Sequence, residues 1–216
     1  MYIVMPPSTQ DLARLNRYHY KYDKYSNEDA SRRIQNKLKG SGYTLVRGKR
    51  GIAEYNHDSG FKVISVKGTD IKNHKDIISD VKLGLGMSKY DNQFKSRRNK
   101  IKDILKENKG QDSYLTGHSL GASIITSSMS KSKSIRDNVK GVHNFNTGYS
   151  AMFNKELKKD LNTEDKKILN KKITHHHRTD DIISKSLTDD AVGKVKQYEK
   201  VSDNPITNHS INHFEN

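Results

Sequence analysis

Apolar positions near the start of the chain recur at helical spacing. Leu12, Leu15 and Tyr18 share one face and Ser8 stands where an N-cap is wanted, which predicts helix over 8–36 in one or two pieces. Ser26-Asn27-Glu28-Asp29 is a second capping signature ahead of a polar helix reaching residue 38. The period then changes. Tyr43-Thr44-Leu45-Val46, Gly51-Ile52-Ala53-Glu54-Tyr55 and Phe61-Lys62-Val63-Ile64-Ser65-Val66 are β-prone runs parted by turn-forming stretches at 48–51 and 56–60, which reads as a β-meander.

Helical and strand patterns alternate after the meander. Ile77, Ile78 and Val81 make a short amphipathic segment broken by Gly84 and Gly86. Ile101, Ile104 and Leu105 predict a helix over 96–108, closed by Gly110. A strand ending at Ser119 leads into a helix with apolar Ala122, Ile124, Ile125 and Met129. Further strands are expected at 141–146 and 173–178, with a helix over 153–161 between them. Such alternation argues for an α/β fold: a mostly parallel central sheet flanked by helices, with an N-terminal helical segment and a β-meander. No repeat or low-complexity linker divides the chain, so 1–216 reads as a single domain with 1–40 as a helical N-terminal extension packed on it.

Composition changes this picture in two ways. Hydrophobic residues make up only 31% of the 216 and Trp is absent, so the core must be economical. Lysine and arginine outnumber aspartate and glutamate by 40 to 25, a net charge of +15 that favours anionic surfaces. The lysines are scattered over the whole chain, however, which a biased genome would also produce. The tyrosines between 18 and 25 could stack on bases, but an amphipathic helix packing them on a sheet explains them better. With no cysteine, disulfides and thiolate metal sites are excluded. Residues 1–5 are too short for a signal-peptide core, and no apolar run approaches the roughly 20 residues of a membrane span. A soluble protein without an export signal is expected, cytoplasmic or, if viral, in the virion or host cytoplasm.

The chemistry converges on Tyr114-Leu115-Thr116-Gly117-His118-Ser119-Leu120-Gly121-Ala122-Ser123, which contains G-x-S-x-G between a strand and a helix. Turning sharply from one element into the other strains the central residue, and Gly117 and Gly121 let the two elements approach. A serine hydroxyl is a weak nucleophile, so Ser119 needs a base, and the base needs an acid to hold its tautomer. After such an elbow the order is acid, then histidine. Asp180 and Asp181 follow the 173–178 strand and point to opposite sides; Asp181 is preferred, with Asp180 as the alternative. For the base, His209 is preferred over His213, which lies near the end of the chain where structure frays. The Leu120 amide and Thr69, after Gly68, are the expected oxyanion donors. His175-His176-His177 alternates sides of a strand and cannot converge on one ion, so neither metal nor cofactor is expected. His118 is read as a packing or hydrogen-bonding residue.

With these residues assembled, the sequence resembles the class 3 lipases, the fungal-lipase-like branch of the α/β-hydrolases. The matching pieces are Val66-Lys67-Gly68-Thr69-Asp70, Asp76-Ile77-Ile78-Ser79-Asp80, Thr116-Gly117-His118-Ser119-Leu120-Gly121-Ala122, Asn144-Phe145-Asn146-Thr147-Gly148, Asp181-Ile182-Ile183-Ser184 and His209-Ser210. Lys67 stands where the family usually has arginine, Ile77 where tryptophan is common, and Ser184 where proline is frequent. The resemblance implies a Ser119-Asp181-His209 triad, an oxyanion hole of Thr69 and Leu120, and a lid over about 70–86. It implies a serine ester hydrolase acting on acyl lipids, of triacylglycerol lipase or phospholipase A type, touching anionic membrane through basic residues. Nucleic acid is not expected as a partner and no partner protein is evident. The alternative reading is a catalytically silent hydrolase fold that binds anionic membrane or nucleic acid.

Overall fold

A computed structural model describes residues 5–22, 25, 27–49, 51–68, 91–181 and 183–215. Helices α1 (Thr9–Tyr22) and α2 (Asn27–Leu38) come first, then strands β1 (Tyr43–Lys49), β2 (Ile52–His57) and β3 (Lys62–Val66). Helix α3 (Asp91–Glu107) precedes β4 (Ser113–His118), α4 (Leu120–Lys131), α5 (Lys133–Asn138) and β5 (Val139–Phe145). Then follow α6 (Ala151–Lys158), α7 (Thr163–Lys172), β6 (Ile173–Arg178), β7 (Lys194–Tyr198), the short α8 (Pro205–Asn208) and a 3-10 turn, Ile211–Phe214. The Ser8 hydroxyl accepts from the Asp11 amide at 3.0 Å, so α1 starts at its expected cap. Ser26, Thr69 and the amphipathic segment at 71–86 lie outside the described residues.

The seven strands of the described residues form one sheet in chain order. β1, β2 and β3 pair antiparallel as the meander requires, and β3 through β7 pair parallel. Stepping always to the adjacent strand with right-handed crossovers puts every crossover helix on the same face. The opposite face is left for the chain's first helices and its last turn to cover.

The side-chain rows of the sheet match that division. Ile64, Leu115, Val142 and Ile173 are register partners across four strands, and none is exposed. They face α3, α4, α6 and α7 in one apolar core. At about 25 cal/mol per Å² of buried apolar area, each such side chain contributes roughly 2 kcal/mol. The next row, Ser65, Thr116, His143 and Thr174, points the other way and is polar. Helix α1 satisfies it: Asn16 Nδ2 donates to Ser65 Oγ at 2.9 Å, and Thr116 Oγ1 donates to the Leu12 carbonyl at 3.3 Å. Leu12, Leu15, Tyr55, Val63, Phe145, Ile211 and Phe214 complete the second core around this contact.

Helix α4 is buried over every residue from Leu120 to Ser130. A helix enclosed on all sides needs no polar stripe. Its hydroxyls turn back on their own backbone, Thr126 to the Ala122 carbonyl at 2.9 Å and Ser128 to the Ile124 carbonyl at 2.7 Å. This helix anchors the site that begins at its N-terminus.

Candidate active site

Ser119 joins β4 to α4 with φ 55° and ψ −125°, backbone angles that cost a residue with a β-carbon about 1–3 kcal/mol. Neighbouring glycines make the turn possible. A β-carbon on Gly121 would run into the Val66 carbonyl, and one on Gly117 would stand 2.8 Å from the Ala122 nitrogen. The other described non-glycine residues with positive φ are Asn146 and Asp180, just past β5 and β6. All three turn the chain at the carboxyl edge of neighbouring parallel strands, where open α/β sheets collect their functional groups.

Asp181 and His209 meet at that edge. His209 Nδ1 lies 2.9 Å from Asp181 Oδ1, and both side chains are almost wholly buried. Asp181 also accepts from the amides of Ile183 at 3.1 Å and Ser184 at 3.2 Å, and from the Ser184 hydroxyl. Burial by itself would raise its pKa; the His209 bond and charge, the Ser184 hydroxyl and the Ile183 amide outweigh it and hold the carboxyl below its ordinary range. At the position where proline is frequent in the family, Ser184 thus supplies an amide and a hydroxyl that proline lacks. Asp180 points elsewhere: it is 64% exposed and lies 3.9 Å from Lys200.

Ser119 Oγ and His209 Nε2 are both buried, and neither has a hydrogen-bond partner among the described residues. A serine oxygen and an imidazole nitrogen left unbonded at this edge can meet an added group; Ser130 Oγ and Asn144 Oδ1 are likewise unbonded elsewhere. Leu120 opens α4, so its N–H has no intrahelical acceptor and belongs to the electropositive end of that helix.

The segment carrying His209 is tied down at several points. Asn208 Oδ1 accepts from the amides of Val201 and Ser202, and Asn146 Nδ2 donates to the Asn208 carbonyl at 2.9 Å. His118 Nε2 sits 2.6 Å from the His209 carbonyl and must be the donor, because a carbonyl only accepts. Burial, with the His209 charge adding to it, pushes His118 down to about 3, so it donates as a neutral ring. His213 stays apart from Asp181: it lies in the last turn, and its carbonyl accepts from Arg178. On β6, His175 bonds Thr147 and the Val192 carbonyl, while His176 stacks with His143 on the opposite face. Among the described residues no group of three or more His, Asp or Glu side chains is arranged to hold a metal.

The sequence pattern of the family described as Lipase (class 3) matches residues 43–190, more than half of the chain. The chain belongs to the class 3 lipases. It is accordingly a carboxylic ester hydrolase whose substrates are acyl lipids. This class 3 lipase shares its fold with the crystal structure of M37 lipase, at 13% identity and a TM-score of 0.57, over 82% of this chain and 70% of that one. Two others have lower TM-scores: a lipase of Rhizopus microsporus var. chinensis, at 12% identity and TM-score 0.39 over 82% of this chain and 69% of that one, and a variant of the esterase rPPE, at 12% and 0.43 over 89% and 86%. No curated protein matches the sequence. Among the described residues no helix of this lipase is long and apolar enough to cross a membrane.

Proposed function

We propose that Ser119, His209 and Asp181 are the nucleophile, base and acid of this hydrolase, and that it cleaves acyl-lipid esters as a triacylglycerol lipase or a phospholipase A does. His209 Nε2 takes the proton as Ser119 Oγ bonds to the ester carbonyl carbon. The oxyanion receives hydrogen bonds from the Leu120 amide and from Thr69. Collapse breaks the C–O bond, and His209 returns its proton to the leaving alcohol. A water then attacks the acyl-enzyme by the same route, releasing fatty acid and restoring Ser119. Asp181 keeps Nδ1–H pointed inward and steadies the charge that His209 gains. The observation that carries this reading is the pair of open buried atoms, Ser119 Oγ and His209 Nε2, with Nδ1 of the same ring held by Asp181. The net charge of +15 supports docking on an anionic lipid surface. Packing of α1 on β3, β4, β5 and the last turn supports one hydrolase domain with the first forty residues seated on it.

A fluorophosphonate probe and p-nitrophenyl butyrate test the assignment together. The native enzyme is expected to label at Ser119 and hydrolyse the ester, and Ser119→Ala to do neither. Hydrolysis at an equal rate by Ser119→Ala would remove the nucleophile. A native protein that neither labels nor hydrolyses, yet binds anionic vesicles, would indicate the silent module.

A further inference from the structure

We infer that Tyr20, on the N-terminal helix α1, is a positioning residue of the active site, the centre of a hydrogen-bond chain linking the loop after β3 to the base. The inference rests on the triad proposed above. Tyr20 Oη accepts from the Gly68 amide at 2.6 Å and donates to the His118 carbonyl at 3.0 Å. His118 Nε2 in turn donates to the His209 carbonyl. Every direction is forced: an amide can only donate and a carbonyl can only accept, so the phenol hydrogen is left for His118. The bonds thus link Gly68, Tyr20, His118 and His209 in order: the phenol both accepts and donates, so its two bonds reinforce each other, and His118 passes the link from its backbone carbonyl to its ring.

The ring of Tyr20 is held as firmly as its hydroxyl. It meets the His118 ring edge-on, with centroids 5.6 Å apart at 84°, and the Lys67 ammonium lies 5.5 Å from its centre. Gly68 leaves no room for adjustment, because a β-carbon there would stand 2.9 Å from Tyr20 Oη and 3.0 Å from the Gly121 nitrogen. One phenol thus fixes three things at once: the residue preceding Thr69, the backbone carbonyl just before Ser119, and, through His118, the height of His209. Tyr20 touches no reacting atom in this arrangement. Its contribution is to hold oxyanion donors and base in register with each other, a constraint felt in the transition state and little in ground-state binding.

Tyr20→Phe keeps the ring and removes only the hydroxyl. It is expected to lower kcat on p-nitrophenyl butyrate by about 10- to 100-fold with KM within about twofold, as small misplacements of reacting groups do. Tyr22→Phe, a buried tyrosine of the same helix outside this chain, is expected to leave kcat within about twofold on the same comparison. Combining Tyr20→Phe with His118→Ala is expected to cost little more than the worse single change, because both cut one series. Native kcat in Tyr20→Phe, an equal loss in Tyr22→Phe, or multiplicative losses in the double variant would each overturn the inference. Should His118→Ala not fold, the two tyrosine variants decide alone. Failure of the triad would show separately, as full activity in Ser119→Ala.

Discussion

Ser119 adopts a backbone conformation its side chain resists, and hydrogen bonds to its own backbone hold it there. Its amide donates to the Phe145 carbonyl at 3.0 Å, and its carbonyl accepts from the amides of Ala122, Ser123 and Gly148 and from the Ser123 hydroxyl. The neighbouring carboxylates separate cleanly by the same local geometry. Asp181 turns inward to His209; Asp180, at φ 62°, turns out to Lys200. Asp181→Asn is therefore expected to lower kcat by about 10²–10⁴-fold, since a neutral amide no longer selects the tautomer. Asp180→Asn is expected to stay within about twofold of native, because asparagine tolerates positive φ. Comparable losses in the two variants would contradict the assignment of the inward carboxylate. The strand's alternation said only that the two carboxylates diverge, and the preference for Asp181 rested on the apolar Ile182-Ile183 that follow it. Tyr20 and Asn208 were not readable, because their roles come from contacts across 98 and 62 positions; Asn146 lay in a stretch matching the family, but its bond to the Asn208 carbonyl was not legible there. Thr69, the expected second oxyanion donor, lies outside the described residues.

Among the elements, the closest approach is that of α4 to the end of β3. Gly121→Ala would set a methyl group against the Val66 carbonyl and within 2.9 Å of the Gly68 nitrogen. About 1–3 kcal/mol of destabilisation is expected in urea unfolding, with at least about a tenfold loss of activity as the helix is pushed from the oxyanion side. Native stability and rate would mean the two elements separate without cost. Strongly periodic segments were legible in advance: the meander, the 173–178 strand and the helix after Ser119. Helix α7 was not, because its segment Thr163-Glu164-Asp165-Lys166-Lys167-Ile168-Leu169-Asn170-Lys171-Lys172 buries only Leu169. Strand β7 escaped for a related reason. It is an edge strand, no residue of Lys194–Tyr198 is fully buried, and its lysines suit an edge that must not recruit another chain. Helix α3 starts at Asp91, ahead of the apolar spacing that revealed its second half.

For the whole molecule, buried histidines set the response to acid. Burial is the first cause in each case, pushing His118 down to about 3, His143 and His175 to about 4 and His176 to about 2, from an ordinary 6.5. Below pH 6.5 the unfolded chain takes up protons at these positions that the folded chain refuses, so stability falls as pH drops towards the folded values. At pH 5 each ring contributes about 2 kcal/mol to that loss. Four together approach the 5–15 kcal/mol or so that holds a typical domain folded. The melting temperature is expected to drop by about 15 °C or more between pH 7.5 and pH 5. A flat profile over that range would show that these rings accept protons in place. The lysine-rich composition suggested basic surfaces, but it gave no hint that histidines along β4, β5 and β6 would dominate the response to acid.

The strand order carries a consequence for how this enzyme comes into being. Because the crossover helices all lie on one face, the other is closed by α1 against the last turn, elements separated by nearly the whole sequence. During synthesis α1 emerges early and has nothing to rest on until β3, β4 and β5 exist. His209 and the Ile211–Phe214 turn arrive later still. A nascent chain halted short of residue 205 would carry the strained serine without His209, the proposed base, and α1 on the sheet without the Ile211–Phe214 turn beside it. With the proposed triad, hydrolysis would then wait until the segment carrying His209 has joined the elbow that carries Ser119.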